Sequence, residues 1–405
     1  MACRACATSV VVCDVGTSTT RLGYAGNAEP TFALPTVCAW RDRMSAETFA
    51  VGDAAATMVG PGVQQRRPLE HGLVVNWDVM EEYWCHLFNR YLCVEPQDVG
   101  VLLTEAAVTP YEQREMTAEI MFESFGVPRL CIGSQALFVL SSVGDGCDTA
   151  VVVESGAGVT QVVPIVAGYA VSGAARRFPV AGWDITQYVL KSLREHERGI
   201  EAERALEVAE RVKTRYGYTA DDIACELARA ESNLPSYVIH HTELHSRTGA
   251  PYSIDVGYER FLAPETMFQP DLLAAPSAVT ASACGGLPAV IDSAVWSCPM
   301  DGRRPLCANI IVSGGNARFA HFAKRLNHAL QRALDERSAA VMAASGGTLC
   351  RQVKYEVNVR DHSQATHAVW RGASAFAASP EYATAAVARE AYMECGASVM
   401  RQHRI

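Results

Sequence analysis

The sequence predicts an α/β protein made of two related halves, each a mixed sheet covered by helices. Three observations carry this. First, one phrase occurs twice. Residues 10–23 read Val-Val-Val-Cys-Asp-Val-Gly-Thr-Ser-Thr-Thr-Arg-Leu-Gly, and residues 151–163 read Val-Val-Val-Glu-Ser-Gly-Ala-Gly-Val-Thr-Gln-Val-Val. Each is an apolar β-type run, a carboxylate, a glycine-containing tight turn and a second β-type run. Second, each phrase is followed by alternating strand and helix patterns, which imply a mixed sheet with covering helices. Third, 405 residues, 49% of them hydrophobic, suffice for two cores. A matched pair of hairpins fits two half-domains gripping one nucleotide between them; two unrelated buried hairpins are the other reading.

The first hairpin occupies residues 9–27, and an extended piece bounded by Pro30 and Pro35 comes after it. Residues 40–68, with Gly60, Pro61, Gly62 and Pro68, read as irregular. A helix starts near Asn76, because Trp77, Met80, Trp84, Leu87, Phe88 and Tyr91 share one face at a period of about 3.6 residues. Val99–Leu103 reads as a buried strand. Thr109-Pro110-Tyr111-Glu112 reads as a capping box with Pro at the first helical position, opening a helix to about Phe125. Leu130–Gly133 is a short strand and Ser134–Ser142 a helix. Gly144-Asp145-Gly146 is a turn and a hinge candidate, after which the order restarts. The second hairpin spans 149–166, with a helix near 183–195 and a charge-rich helical region around 202–230. Thr219–Asp222 is another N-cap pattern. Tyr252–Val256 is a strand. Leu287–Cys298 and Ala317–Glu336 read as helices flanking the strand Asn309–Val312. Val353–Val359 is a strand and Thr366–Ala377 a helix rich in small residues.

Bulk properties narrow the function. Net charge is −9, from 35 basic and 44 acidic side chains. That balance argues against nucleic acid as the main partner, because phosphate-backbone binding needs a positive field. The 14 cysteines are scattered without a disulfide-like framework, as expected in a reducing compartment. Cys3 and Cys6 form one C-x-x-C with no second pair, so zinc is disfavoured. His241 and His245, after His240, read as a solvated loop. The apolar stretch near Val162–Ala175 contains Pro164 and Gly168 and is too short for a bilayer. The N-terminus does not read as a secretory signal, since Asp14 interrupts its short apolar run. A soluble intracellular protein without membrane insertion is expected.

The chemistry sits in the turns. A strand ending in an acid and a glycine turn presents backbone N–H groups to phosphate. Asp14 and Glu154 can hold, through water, the Mg²⁺ that travels with it. In the first turn Gly16, Thr17, Ser18 and Thr19 supply donors and Arg21 a fixed positive charge. The same residues also suit a plain tight turn. In the second turn Gly156, Ala157, Gly158 and Val159 face the same phosphates from the other side. Gln135 opens a helix and can orient a water, although such a residue also serves as a surface or capping group. The strand Asn309–Val312 runs into Ser313-Gly314-Gly315-Asn316, whose glycines admit a flat ring or a phosphate, or simply form a loop. Neither a Walker A nor a Rossmann fingerprint occurs.

At these residues the chain resembles the actin superfamily, and within it the actin-related protein 3 branch, over nearly its whole length. Asp14-Val15-Gly16-Thr17 resembles the first phosphate loop. Leu22-Gly23-Tyr24-Ala25-Gly26-Asn27-Ala28-Glu29-Pro30 is similar to the branch's form of the segment after that loop. Glu70-His71-Gly72, Asn76-Trp77-Asp78 and Met116–Phe125 are close to family text. Ile254–Leu262 and Gly302-Arg303-Arg304-Pro305-Leu306 are similar to the branch alone. The resemblance implies an actin-like, duplicated ribonuclease H-like fold of two lobes with mixed sheets and a nucleotide cleft between the lobes. It implies subdomains at 1–36 with 69–143 and 353–405, at 37–68, at 144–181 with 282–352, and at 182–281. It implies ATP and Mg²⁺ as cofactors, with Lys213 near the adenosine and Gly314, Gly315 and Phe319 on the adenine side. Its partners would be actin-related protein 2, accessory subunits, actin and nucleation-promoting factors, in the cytoplasm and cytoskeleton. Its task would be to mimic a filament end and nucleate a branch, with ATP as a conformational clamp.

Several positions depart from the family pattern. Glu154 and Ala157 stand where it has Asp, and Gln161 where it has His; Gln161 can orient a water but cannot take its proton. Ser18 replaces a glycine, Thr214 the ribose-binding acid, and Arg318 a methionine, where its guanidinium can stack on adenine. Trp40–Val51 is shorter than the family's loop toward a filament neighbour. ATP binding with slow or absent hydrolysis is expected, with Gln135 and Gln161 as the catalytic candidates. Two other functions are kept beside this one: a subunit of a nuclear chromatin-remodelling assembly, and a sugar or acetate kinase of the same superfamily.

Overall fold

The fold, taken from a computed structural model, is described for residues 9–42, 48–58, 60–197, 199–246, 248–273, 285–344, 354–362 and 364–401. Cys3 and Cys6 lie outside the described residues. The chain divides into two compact units. One comprises residues through Asp148, Ala167–Ser172 and Thr366 onward; the other comprises Thr149–Val166 and Gly173–Ala365.

In the first unit, Val10–Val15 and Thr19–Tyr24 form the expected antiparallel hairpin, with Asp14 opposite Arg21. Phe32–Pro35 extends the sheet beyond the second arm. The first arm also runs parallel to Gly100–Glu105, which runs parallel to Arg129–Ser134. Side chains alternate across a strand: Val11 and Cys13 enter one apolar cluster with Tyr83, Trp84 and Leu103, and Val12 enters another with Phe138 and Trp370. A sheet buried on both faces explains an apolar run without polar alternation.

Asn76 accepts a hydrogen bond from Val79 N at 3.0 Å and starts the helix Trp77–His86, which continues as a π-helix over Leu87–Leu92. The capping box at Thr109 is not formed. The helix spans Tyr111–Glu119 with Pro110 before its first residue and continues as a π-helix over Ile120–Ser124, close to the expected end, and the Thr109 hydroxyl donates instead to Ala106 O at 2.8 Å. A carbonyl in its own preceding turn is a nearer partner than the helix amides. Residues 40–68 are not irregular either. Cys38–Arg41 pairs with Ala50–Val51 and Val63–Arg66 in a small antiparallel sheet, and Asp53–Thr57 is a short helix. The glycines and prolines mark the turns of this sheet; buried Cys38 and Trp40 face one apolar cluster with Phe49 and Val51, and buried Ala39 faces another with Val37 and Ala55. After the helix Ala368–Ala377, the chain adds helices Pro380–Ala385 and Arg389–Cys395, for which the sequence pattern gave no expectation.

The second unit repeats the plan. Ala150–Ser155 and Thr160–Val166 form a hairpin with Glu154 opposite Gln161. The first arm runs parallel to Ile310–Ser313, which runs parallel to Val359–Asp361. The strand expected at Val353–Val359 therefore lies later, and pairing places it in this unit rather than with the first half; Val353 is outside the described residues. The helix expected at Ala317–Glu336 is a 3₁₀ turn, Asn316–Arg318, then Phe322–Ala344. His321, at φ +67°, breaks the run between them. His240 and His241 lie in a strand, not a loop: Ile239–Leu244 pairs with Pro251–Val256. Its buried face carries His241 and Glu243, so the alternation is polar-in and gives no hydrophobic signal. Asp222 caps Ile223–Ser232 through Ala224 N and Cys225 N. Met300–Ala308 is a helix despite Pro305. Among the described residues no helix is long and apolar enough to cross a membrane.

Candidate phosphate-binding hairpins

Each unit presents one acid-tipped hairpin. In the first, Gly16 N donates to Thr19 O at 3.1 Å and closes the turn. Asp14 is buried. Its Oδ1 accepts from Thr104 Oγ1 at 2.6 Å and Gln135 Nε2 at 3.3 Å, and its Oδ2 accepts from Arg21 Nη1 at 3.3 Å. Three different elements thus fix this carboxylate. Burial and the Asp14 charge push the Cys13 thiol well up, so the neighbouring sulfur stays neutral. The Thr17 hydroxyl accepts from Gly72 N at 3.2 Å, so it braces the turn from outside. Among the described residues, no acceptor takes the N–H of Thr17 or Ser18. Arg21 spends one guanidinium nitrogen on Asp14.

In the second, Gly156 N donates to Val159 O at 2.8 Å. Gln161 is buried and donates from Nε2 to Glu154 Oε2 at 2.5 Å. The carbonyls of this turn are held from behind: Gly182 N donates to Gly156 O at 3.0 Å and Trp183 N to Ala157 O at 2.7 Å. Two carbonyls of the turn are thereby engaged. The Ala157 N–H has no acceptor among the described residues. Gly158 and Val159 complete the turn.

The glycine loop packs directly on this hairpin. Gly314 has φ +92°, and a Cβ there would stand 2.2 Å from Ser155 O. Only glycine permits both that dihedral and that approach. Asn316 was not among the site residues the sequence pattern pointed to. It is buried, and its Nδ2 donates to Ser155 Oγ and Gly156 O, each at 2.9 Å. Its position after a double glycine was the one available signal. Gly315 and Arg318 are exposed, and the buried Phe319 ring lies where a Cβ on Gly217 would come within 2.7 Å of it.

Lys213, expected near the adenosine, lies at the foot of the helix that follows the second hairpin. It is buried, and its ammonium donates to Gly182 O at 3.0 Å, Thr186 Oγ1 at 2.8 Å and Glu210 Oε2 at 2.7 Å. Three donors meet three protein acceptors. Burial lowers its pKa, and Glu210 opposes that shift. Thr214 donates to Glu210 O within its own helix.

The donor set fits a nucleotide carrying a hydrated divalent ion. Among the described residues no three His, Cys, Asp or Glu side chains gather to ligate a metal directly. Asp14 and Glu154 are single, anchored carboxylates, which suits water-mediated contact.

The family model for actin matches residues 6–404. The chain is 38% identical over 408 residues to "Actin-related protein 3" of Dictyostelium discoideum, covering 96% of each. It is 35% identical over 418 residues to "Actin-related protein 3" of Caenorhabditis elegans, covering 97% of each.

Proposed function

The chain belongs to the actin family, and from that premise we propose that it is an ATP-binding subunit of an actin-related protein 2/3 complex that nucleates branched actin filaments. The observation that carries this reading is end-to-end similarity, at 35% and 38% identity, to two proteins named actin-related protein 3. Its partners are then actin-related protein 2, accessory subunits, actin and nucleation-promoting factors, and its place is the cytoplasmic cytoskeleton.

On this reading both hairpins bind the phosphates of MgATP. The amides of Thr17, Ser18 and Ala157 donate to phosphate oxygens, with Gly16, Thr19, Gly156, Gly158 and Val159 shaping the turns. Bound Mg²⁺ would neutralise phosphate charge and be held by Asp14 and Glu154 through its waters. Thr104, Gln135 and Arg21 keep Asp14 oriented, and Gln161 does the same for Glu154. Gly314, Gly315, Arg318 and Phe319 would flank the adenine with Lys213 near the adenosine, and Lys213 also holds the Gly182 carbonyl behind the second hairpin. Gln161 offers an amide where a general base would need to accept a proton, so hydrolysis is slow. The nucleotide then works as a conformational clamp on a filament-end mimic.

Affinity capture of the tagged full chain from cytosol tests the assembly. Recovery of actin-related protein 2 with small accessory subunits supports the reading; recovery of helicase-type ATPases would replace it with a chromatin-remodelling role, and sugar-dependent ADP release with a kinase. MgATP should also raise the melting temperature, because a ligand bound only by the native state stabilises it. No shift at millimolar MgATP removes the nucleotide from the proposal.

A further inference from the structure

We infer that Asn316 is a positioning residue that braces the second phosphate hairpin against the glycine loop; this rests on the nucleotide reading above. The Gly156 carbonyl can only accept, so the Asn316 amide must direct its NH₂ toward it. The same nitrogen donates to Ser155 Oγ, which is in turn hydrogen-bonded to Thr160 Oγ1 at 2.8 Å on the other arm. One buried side chain therefore touches the end of the first arm and the turn itself, and reaches the start of the second arm through Ser155. Gly182 N holds the same Gly156 carbonyl from the adjoining helix, and Lys213 holds the Gly182 carbonyl.

The loop that carries Asn316 is itself anchored. Gly314 N donates to Ala365 O at 3.2 Å and Ser313 Oγ to the same carbonyl at 3.0 Å. Gly314 lies against the Ser155 backbone with no room for a side chain. The loop assigned to adenine and the turn assigned to phosphate are thus one hydrogen-bonded body within one unit. Asn316 sets the spacing between the two ends of the ligand site, and it does so before any ligand arrives. Preorganised donors bind a polyanion without an ordering cost at the moment of binding.

The consequence is selective. Removing the brace should weaken triphosphate binding more than adenosine binding, because the turn moves and the adenine side does not need it. In Asn316→Ala, MgATP affinity measured by calorimetry on the full chain should fall about fivefold to tenfold, while adenosine affinity changes by less than about twofold. Asn316→Ser retains one donor and should fall between the two; it keeps the test alive if the alanine variant folds poorly. In the ligand-free protein, hydrogen exchange at the Gly156, Gly182 and Trp183 amides should accelerate in the variants. An unchanged ratio of ATP to adenosine affinity, or unchanged exchange at those amides, overturns the bracing role. If the parent protein binds no MgATP, the nucleotide reading falls, and the exchange data still decide whether Asn316 braces the turn.

Discussion

Gly314→Ala tests how tightly the glycine loop and the second hairpin are joined. Two terms add. A side chain at φ +92° sits in left-handed backbone space, at a cost of about 1–2 kcal/mol. The added Cβ would stand 2.2 Å from Ser155 O, 2.6 Å from Ser155 C and 3.0 Å from Ser155 N. These are backbone atoms in a strand whose neighbouring Glu154 is in parallel register with Ser313, so they cannot swing aside as a side-chain tip would. Overpacking of this kind costs ~1–3 kcal/mol, and the total is about 2–5 kcal/mol. Gly315→Ala is the matched control, since a Cβ there meets nothing within 4 Å and the φ is not left-handed. Hydrogen exchange under increasing urea reads both variants. Amides of Ala150–Ser155 and Ile310–Ser313 should lose protection at lower urea in Gly314→Ala, while those of Val10–Val15 in the other unit serve as the internal reference. Equal midpoints for the two alanine variants would refute the close-approach reasoning.

Two further perturbations act on single contacts. Replacing Gln161 with His, together with Ala157→Asp, should raise single-turnover phosphate release at least about tenfold, because an imidazole can accept the proton that an amide cannot; equal rates in both proteins would show that these positions do not limit hydrolysis. Glu226 accepts from Tyr218 at 2.7 Å and Tyr237 at 2.6 Å and fastens the helix Ile223–Ser232, in which Ala230 is the one buried residue. Burial pushes its carboxyl up, but the tyrosine hydroxyls and Arg229 outweigh that and leave it below its ordinary value of 4.5. A lowered folded pKa contributes stability that is complete above the ordinary value and is lost as pH falls through the folded one. Glu226→Gln should therefore reduce exchange protection of this helix at neutral pH and leave it unchanged at strongly acidic pH; a difference that persists in acid would refute the carboxylate's role.

Much of the site was legible in the residue order. The paired hairpins, with Asp14 and Glu154 near their tips, are patterns of neighbouring residues, and so is the Asn76 cap. Two strands were hidden for specific reasons. Cys38–Arg41 is short, and its partner Val63–Arg66 lies beyond a glycine-proline turn. Ile239–Leu244 turns His241 and Glu243 inward, where Glu243 is held by Arg211 at 2.7 and 2.8 Å and by His241 at 2.8 Å. A buried ionic strand inverts the alternation that reveals an ordinary one.

Local chemistry was already written in the order of residues: which runs are strands, where glycine allows a turn, which carboxylate sits near each turn, and the family to which these words belong. Partner choice for buried polar groups came from the packed fold alone. Asn316 and Ser155 are 161 positions apart, and Lys213 and Gly182 are 31 apart. A buried donor takes whichever acceptor packing brings to it, since leaving one unpaired costs about 1–3 kcal/mol. No spacing along the chain encodes that encounter.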